Sequence, residues 1–322
     1  MKAIALLSGG LDSMLALKLM IDQGIEVIAL NFTSPFCTCN KCHAIELTKK
    51  YKVPFKVINK GKEYLKVIRH PKYGYGSGMN PCVDCRIFIL KKAKKIMKQL
   101  KAGFIFTGEV LDQRPMSQHL NTLNIIEKEA KLEGLVLRPL SAKLLPETIP
   151  EKEKWVNRDK LLSIKGRSRK EQIALTKKFK INNYPCPSGG CLLTYKEFAN
   201  KVRDLFKHNK KINENDIKLL KLGRHFKFGN NKIIVGRNEK ENKELLKLKN
   251  SSIVLEVPVV GSPVTLLQGK NKEAIIKAAQ LTAFYSDNKD EKVKVKYKKG
   301  KLNKEILITQ IKDKEIEKLR IC

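Results

Sequence analysis

The sequence predicts an α/β fold, with a doubly wound, mostly parallel sheet followed by a small α+β domain. Short apolar runs alternate with helical apolar periods over roughly the first 100 residues, and this alternation is typical of parallel strands covered by helices. Beyond residue 216 the pattern changes, and it ends in two neighbouring strand signals on either side of the turn at 298–301. A chain of 322 residues is long enough for about two domains, and we expect domains at 1–205 and 206–322.

The first domain carries the strand signals of the parallel sheet. We expect strands at 2–7, 26–31, 55–58, 104–107 and 135–138, helices at 14–23, 45–51 and 85–98, and charged helices within 140–185. Ligands of such sheets bind at the carboxyl ends of the strands. The turn at 8–13 and the pairs Thr107-Gly108 and Arg138-Pro139 lie at such ends, so the sequence predicts a site there.

The second domain reads as a small α+β unit. Strands are expected at 233–235, 253–257, 293–297 and 306–311, and helices at 239–248 and 272–285. A further helix is expected at 195–207, after a segment at 184–191 that is too rich in proline and glycine for regular structure.

The composition favours a polyanionic partner. The chain has 66 Lys and Arg against 32 Asp and Glu, a net charge of +34, and nucleic acid is the usual partner of such a charge. Biased base composition or a thermophilic lifestyle is the alternative cause. No apolar stretch reaches the roughly 18 residues that a membrane span needs, and the apolar run at the N-terminus is too short for a signal peptide. We therefore expect a cytoplasmic protein with no membrane partner.

Residues 8–13, S-G-G-L-D-S, form the most informative motif. Gly9 and Gly10 lie between a predicted strand and a predicted helix, where glycine lets the backbone approach a ligand closely. The helix N-terminus adds N–H groups and a positive dipole end, which together favour a phosphate. The motif is neither G-x-x-x-x-G-K-[ST] nor G-x-G-x-x-G. The alternative is an ordinary turn whose Ser or Asp caps the helix.

The cysteines form a second constellation. Eight cysteines in a cytoplasmic chain favour metal, cluster or sulfur chemistry over disulfides. Cys82 and Cys85 lie at a predicted helix start, which favours thiolates, and Cys191 follows two glycines far downstream. Three thiolates suit an iron–sulfur cluster with an open iron site, or redox-active sulfurs that carry a persulfide. Zinc, with Cys186 as fourth ligand, is the alternative.

These motifs resemble those of a known enzyme group. S-G-G-L-D-S resembles the PP-loop of adenine nucleotide α-hydrolase-like enzymes, which are Rossmann-like and split ATP between the α and β phosphates. The C-x2-C pair and the late glycine-flanked cysteine resemble those of tRNA 2-thiouridylases and ThiI-type sulfurtransferases in that group. Residues 223–242 are similar to the NFACT-type RNA-binding domain.

The resemblance implies roles for individual residues. Ser8, Gly9, Gly10, Asp12 and Ser13 are expected to hold ATP and magnesium (Mg2+), with Asp12 linked to the metal. Cys82, Cys85 and Cys191 are expected to be catalytic and to hold a 4Fe-4S cluster, with Cys186 as the runner-up to Cys191. Two further segments resemble the group: T-G-E at 107–109, where Thr107 and Gly108 would line the nucleotide site, and R-P-L-S-A-K at 138–143, where Lys143 would neutralise pyrophosphate. Glu109 departs from the group, since many relatives have His or Asn there.

The implied activity is that of an ATP-dependent tRNA sulfurtransferase. Such an enzyme adenylates a uridine carbonyl oxygen and replaces it with sulfur from a cluster or persulfide, and its partners are tRNA and a cysteine desulfurase or free sulfide. The alternatives are another AMP-forming PP-loop ligase acting on RNA or a small molecule, and a non-catalytic RNA-binding protein. We assign no functional role from the sequence to Cys37, Cys39 and Cys42. Arg114 and the basic turn at 166–170 are candidate phosphate contacts.

Overall fold

The computed structural model describes residues 1–38, 41–181, 183–184, 190–209, 211–300 and 302–321. The chain divides into two compact units, Met1–Thr194 and Tyr195–Cys322. The division falls before the helix at Lys196–His208, whereas the sequence placed the boundary after it. The assignment of ATP binding and RNA binding to separate domains stays a prediction. Of the helices in the described part of the chain, none has the length and apolar character needed to cross a bilayer.

The first unit is built on a parallel sheet. Its strands, within the described residues, are β1 (Lys2–Leu6), β2 (Glu26–Thr33), β3 (Phe55–Asn59), β4 (Phe104–Thr107) and β5 (Val136–Leu137), in the order β3-β2-β1-β4-β5. Every pairing is parallel. Helices in this unit are α1 (Leu11–Ile21), α2 (Lys41–Lys50), α3 (Glu63–Arg69), α4 (Cys82–Gln99), α5 (Leu120–Ala130), α6 (Ile149–Lys152) and α7 (Lys170–Lys178).

Helices cover both faces of this sheet. Successive side chains of a strand point to opposite faces, and β1 shows the consequence. Ala3 and Ala5 pack in one hydrophobic core with Leu15 of α1, whereas Ile4 packs in a second core with Leu90 of α4. The predicted doubly wound α/β fold is therefore confirmed.

The strand order fixes where a ligand binds. The chain leaves β1 toward β2 on one side and leaves β4 toward β5 on the other, so the carboxyl ends of β1 and β4 flank the crevice where connections diverge. The 8–13 turn follows β1 and Thr107-Gly108 ends β4, which places both predicted segments at that crevice.

The prediction of charged helices within 140–185, interrupted early by Pro146 and Pro150, is confirmed only for α7 (Lys170–Lys178) and the one-turn α6 (Ile149–Lys152). Between Ala142 and Lys160 the structure has only α6 and two 3₁₀ turns, Ala142–Leu144 and Arg158–Lys160, in the described residues. Pro146 and Pro150 interrupt this stretch, because proline lacks the N–H that a helix interior needs. Residues 185–189 of the predicted irregular segment lie outside the described residues.

The second unit is α+β, as predicted, and its sheet is antiparallel, with two strands that the sequence did not predict, Arg224–Phe228 and Thr265–Gln268. Its described strands are β6 (Arg224–Phe228), β7 (Asn231–Val235), β8 (Ile253–Glu256), β9 (Thr265–Gln268), β10 (Lys292–Lys299) and β11 (Leu302–Thr309), in the order β11-β10-β8-β9-β7-β6. Its described helices are α8 (Lys196–His208), α9 (Glu214–Leu219), α10 (Glu239–Lys247), α11 (Lys272–Phe284) and α12 (Asp313–Leu319). Along β10, buried Val293 and Val295 alternate with exposed Lys292 and Lys294.

Candidate functional site

The turn between β1 and α1 has the geometry of an open helix N-terminus. Gly9 has a φ of +83°, a left-handed conformation that favours glycine. Gly10 is the N-cap of α1 and contributes no side-chain cap. The serines bond within the turn: Ser8 Oγ accepts from Gly10 N at 3.2 Å, and Ser13 Oγ donates to the Gly10 carbonyl at 2.8 Å. The alternative of a turn whose Ser or Asp caps the helix is not what the structure shows.

Gly108 lets β4 pack directly on this turn. A Cβ atom at Gly108 would lie 2.4 Å from the backbone nitrogen of Ser13 and 2.5 Å from the carbonyl carbon of Asp12. The position therefore admits only glycine, and the first turn of α1 rests against the end of β4.

Asp12 presents a buried carboxylate in this first turn. Its side chain is 14% exposed, and its Oδ1 accepts no hydrogen bond within the described structure. Burial raises the pKa of the Asp12 carboxyl, and Arg169 opposes that shift most strongly. A hard carboxylate oxygen that accepts no hydrogen bond, in the first turn of an open helix N-terminus, is the type of ligand that Mg2+ takes. The donor at Asp12 thus fits the predicted magnesium ion.

Two arginines bring positive charge to Asp12. Arg169 Nη2 lies 3.8 Å from Asp12 Oδ2, and Arg114 also lowers the pKa of the carboxyl. The amide side chains of Gln113 and Gln172 act in the same direction, and Gln172 is fully buried in α7. The sequence suggested Arg114 as a phosphate contact and the basic turn at 166–170, which contains Arg169, as an RNA phosphate contact, but gave no reason to place either Arg169 or Gln172 beside Asp12.

Glu109, which departs from the family pattern, is the centre of a buried ion-pair network. Burial by itself would raise the pKa of its carboxyl, but Arg86 and Arg138 lower it below the usual value. Arg86 Nε lies 3.1 Å from Oε1 and Arg138 Nε lies 3.3 Å from Oε2. Thr107 Oγ1 donates to the same carboxylate at 3.1 Å. Thr107 and Arg138 therefore hold Glu109 in place at the carboxyl end of β4.

Lys143 makes a different contact. Its ammonium donates to the carbonyl of Asp159 at 2.9 Å, on an exposed side chain. No contact among the described residues joins it to the 8–13 turn. Its role toward pyrophosphate stays a prediction, and Arg169 and Arg114 have the better-placed charges.

The predicted thiols come from two segments. Cys82 and Cys85 lie in the first turn of α4. Asn80 Nδ2 donates to Cys82 Sγ at 3.2 Å, and the buried Lys60 ammonium donates to Cys85 Sγ at 3.2 Å. Burial raises the pKa of the Cys82 thiol, while Asn80 and two arginines oppose the shift.

Cys191 interacts with both of these cysteines and with Cys37. The pKa of Cys191 is raised to about 12, chiefly by burial and to a lesser extent by the nearby thiols of Cys85, Cys37 and Cys82. Cys37 and Cys191 face each other in an isolated antiparallel β-bridge. The structure thus brings together the three predicted cysteines and adds Cys37, which the sequence left without a role.

The thiols that the structure describes are not grouped as a metal site. Within the described ranges, no group of three or more Cys, His, Asp or Glu side chains is placed to hold a metal ion. Cys82 is bonded to Asn80 and Cys85 to Lys60, so their sulfurs are directed at other partners. Cys186 and Cys39 lie outside the described residues. Among the described residues, the predicted 4Fe-4S cluster therefore has no assembled ligand set, and the cluster stays a prediction.

Arg114 connects the turn and the thiols. Its charge lowers the pKa of the Asp12 carboxyl and also that of the Cys82 thiol. Contacts show the same proximity: Arg86, at the start of α4, lies 3.1 Å from Glu109 at the end of β4, and that strand end packs on the first turn of α1. The 8–13 turn and the start of α4 therefore meet at the carboxyl end of β4 in the first unit.

Two family models match the chain. Residues 1–149 match thiamine biosynthesis protein (ThiI), and residues 223–320 match the NFACT protein RNA binding domain. A probable tRNA sulfurtransferase of Ureaplasma urealyticum serovar 10 is 33% identical over 148 residues, covering 43% of this chain and 36% of that protein. One of Thermococcus kodakarensis is 34% identical over 146 residues, with the same two shares of 43% and 36%.

The chain thus spans little more than a third of the length of these curated relatives. A solved 4-thiouridine synthetase–RNA complex with bound ATP aligns at 22% identity over 68% of this chain and 52% of that chain. The TM-score of this alignment is 0.38. The two family matches and the sulfurtransferase relatives confirm the predicted resemblance: the chain joins a region similar to PP-loop tRNA thiolation enzymes to an NFACT-type RNA-binding region.

Proposed function

We propose that this chain is an ATP-dependent tRNA sulfurtransferase that adenylates a uridine carbonyl oxygen and then replaces that oxygen with sulfur. The observation that carries the proposal is the shared site: Arg86, at the start of α4, pairs with Glu109 at 3.1 Å, and Gly108 at the same end of β4 packs against the turn. Thiols beside a nucleotide-binding turn suit sulfur transfer to an activated carbon. They have no use in an AMP-forming ligase whose nucleophile is an amine, which is the alternative function.

ATP binding is assigned to the turn after β1. The open N-terminus of α1, between Ser8 and Ser13, accepts phosphate through its N–H groups. Asp12 would hold Mg2+, and that ion would neutralise charge on the departing pyrophosphate. Arg169 and Arg114 add charge on the same side. Thr107 and Gly108 close the site from β4.

Sulfur transfer is assigned to Cys82, Cys85 and Cys191. Adenylation turns the uridine oxygen into part of AMP, which is a good leaving group. A persulfide sulfur needs no assembled metal ligands, so of the two predicted sulfur carriers it suits the described thiol arrangement. The 4Fe-4S cluster stays a prediction, and iron and sulfide analysis of anaerobically purified protein tests it.

The partner is assigned as tRNA. The charge of +34 and the match of 223–320 to an RNA-binding family both favour a polyanionic substrate. A cysteine desulfurase or free sulfide would supply the sulfur, and the cytoplasm is where ATP and tRNA meet.

The test is a thiolation assay with tRNA, ATP, Mg2+ and either sulfide or a desulfurase with cysteine. Mass spectrometry of the digested nucleosides should show thiouridine with wild-type protein and none with Asp12→Asn or Cys191→Ala. Cys42→Ala, at an exposed cysteine on α2, should retain activity. Release of AMP without thiouridine, with an amine joined to the RNA, would favour the ligase instead.

A further inference from the structure

Cys37 lies directly opposite Cys191 in a pairing that brings side chains close. Thr38 N donates to the Gly190 carbonyl at 3.2 Å, and Leu192 N donates to the Phe36 carbonyl at 2.8 Å. These bonds flank the bridge between Cys37 and Cys191, which makes the two cysteines a non-hydrogen-bonded antiparallel pair. In such pairs the Cα atoms are about 4.5 Å apart and the side chains are at their closest.

That pairing matches the geometry of a disulfide. Disulfides join cysteines whose Cα atoms are roughly 4.4–6.8 Å apart, so Cys37 and Cys191 are placed to bond without a backbone movement. Both are thiols in this structure, and both are half-buried. Ser34 Oγ lies 3.3 Å from Cys37 Sγ, within hydrogen-bond distance, and this contact fixes the Cys37 side chain beside the bridge.

We propose that Cys37 is the resolving thiol of the sulfur site: it forms a disulfide with Cys191 and thereby releases the sulfur that Cys191 carries. The sulfur-carrying role of Cys191 rests on the proposed function, whereas the Cys37–Cys191 disulfide is tested independently of it.

Release of the sulfur balances in atoms and electrons between the two cysteines and the outer sulfur of the persulfide. A persulfide on Cys191 has the form Cys191–S–SH, loaded by a persulfide donor. The Cys37 thiolate attacks Cys191 Sγ, the S–S bond of the persulfide breaks, and the Cys37–Cys191 disulfide forms. The outer sulfur leaves with the bonding electron pair as HS⁻, so the two cysteines are oxidised by two electrons and the outer sulfur is reduced by two. HS⁻ then attacks the adenylated carbon, AMP leaves and one proton is lost. A dithiol reductant restores the two thiols.

The disulfide is tested by oxidation. Wild-type protein is treated with one equivalent of diamide, alkylated and digested with trypsin, and linked peptides are sequenced by mass spectrometry, which separates Cys37 from Cys39 and Cys191 from Cys186. We expect a disulfide between Cys37 and Cys191. The matched control is Cys42→Ser, which changes an exposed cysteine five residues after Cys37 and should leave this disulfide intact. Links from Cys191 to Cys82 or Cys85 in place of Cys37 would overturn the proposal.

Sulfide release tests the resolving role. Wild type, Cys37→Ser and Cys42→Ser are loaded with glutathione persulfide, desalted and followed for free sulfide in the absence of reductant. We expect release from Cys37→Ser to be at least tenfold slower, with the persulfide retained on Cys191, and release from Cys42→Ser to match wild type. Equal release from Cys37→Ser, when its melting temperature is unchanged, refutes the resolving role. Cys37→Ala repeats the test if the serine variant is unstable.

The two proposals fail in different ways. If the Cys37–Cys191 disulfide forms and sulfide is released at the expected rate, but no tRNA is thiolated, the proposed function is refuted and the resolving role is supported. Thiouridine formation by Cys37→Ser at the wild-type rate would support the proposed function and refute the resolving role of Cys37.

Discussion

Replacing Gly108 with alanine tests whether the close contact between β4 and α1 shapes the phosphate-binding turn. The added Cβ would lie 2.4 Å from Ser13 N and 2.5 Å from Ser13 Cα. An ordinary contact is roughly 3.5 Å, so the first turn of α1 must move by about 1 Å. Backbone atoms on both sides leave no flexible side-chain end to absorb that movement.

A displacement of about 1 Å in a binding site weakens function about 100-fold, which corresponds to ~2.7 kcal/mol of binding free energy. We therefore expect Gly108→Ala to raise the Kd for a non-hydrolysable ATP analogue about 100-fold in isothermal titration calorimetry. Gly103→Ala is the matched control, since it precedes the other end of β4 and meets only the side-chain atoms Met1 Sδ at 2.9 Å and Trp155 Cζ3 at 3.2 Å. A Kd for Gly108→Ala within threefold of wild type would refute this reasoning.

Three further substitutions test buried ionisable side chains. Glu109→Gln leaves Arg138 without one of its buried carboxylates and should cost about 3 kcal/mol of unfolding free energy in urea titrations; a loss below ~1 kcal/mol would contradict the network. Burial holds the pKa of His225 well below its usual value. The unfolded chain therefore binds a proton below about pH 6.5 that the folded chain does not, and stability should fall by up to ~1.4 kcal/mol per pH unit as the pH drops below that value. His225→Gln should flatten this dependence in urea titrations at pH 7 and pH 5. Lys60→Met removes the cation beside Cys85 and should slow iodoacetamide alkylation of Cys85 about tenfold, as measured by peptide mass spectrometry; an unchanged rate would show that the contact does not activate the thiol.

Buried strands were the most predictable elements. The β4 bounds, Phe104–Thr107, match the predicted range, because a strand buried on both faces reads as a continuous apolar run. The helices α3 and α5 were missed. Between 140 and 185, the early breaks at Pro146 and Pro150 were expected, but the irregular stretch extends beyond them to α7.

The site was predictable only where its residues are close in sequence. The 8–13 turn and the Cys82-x2-Cys85 pair each carry a local pattern. Arg169 acts on Asp12 and Cys37 faces Cys191 across long stretches of chain, and neither pairing leaves a periodic or spacing signal. Tertiary packing alone brings them together, so single-sequence reasoning had no means to find them.

The alternation along β10 also bears on how the protein avoids self-association. β11 is an edge strand of the second sheet and carries the exposed Leu307, and a strand of that kind is a template for pairing with another copy. On the neighbouring strand β10, Lys292 and Lys294 lie two residues apart on the exposed face. If two copies paired through β11, the positively charged faces of both sheets would lie side by side and repel each other. The exposed lysines of β10 therefore disfavour pairing of β11 with a second copy of the chain.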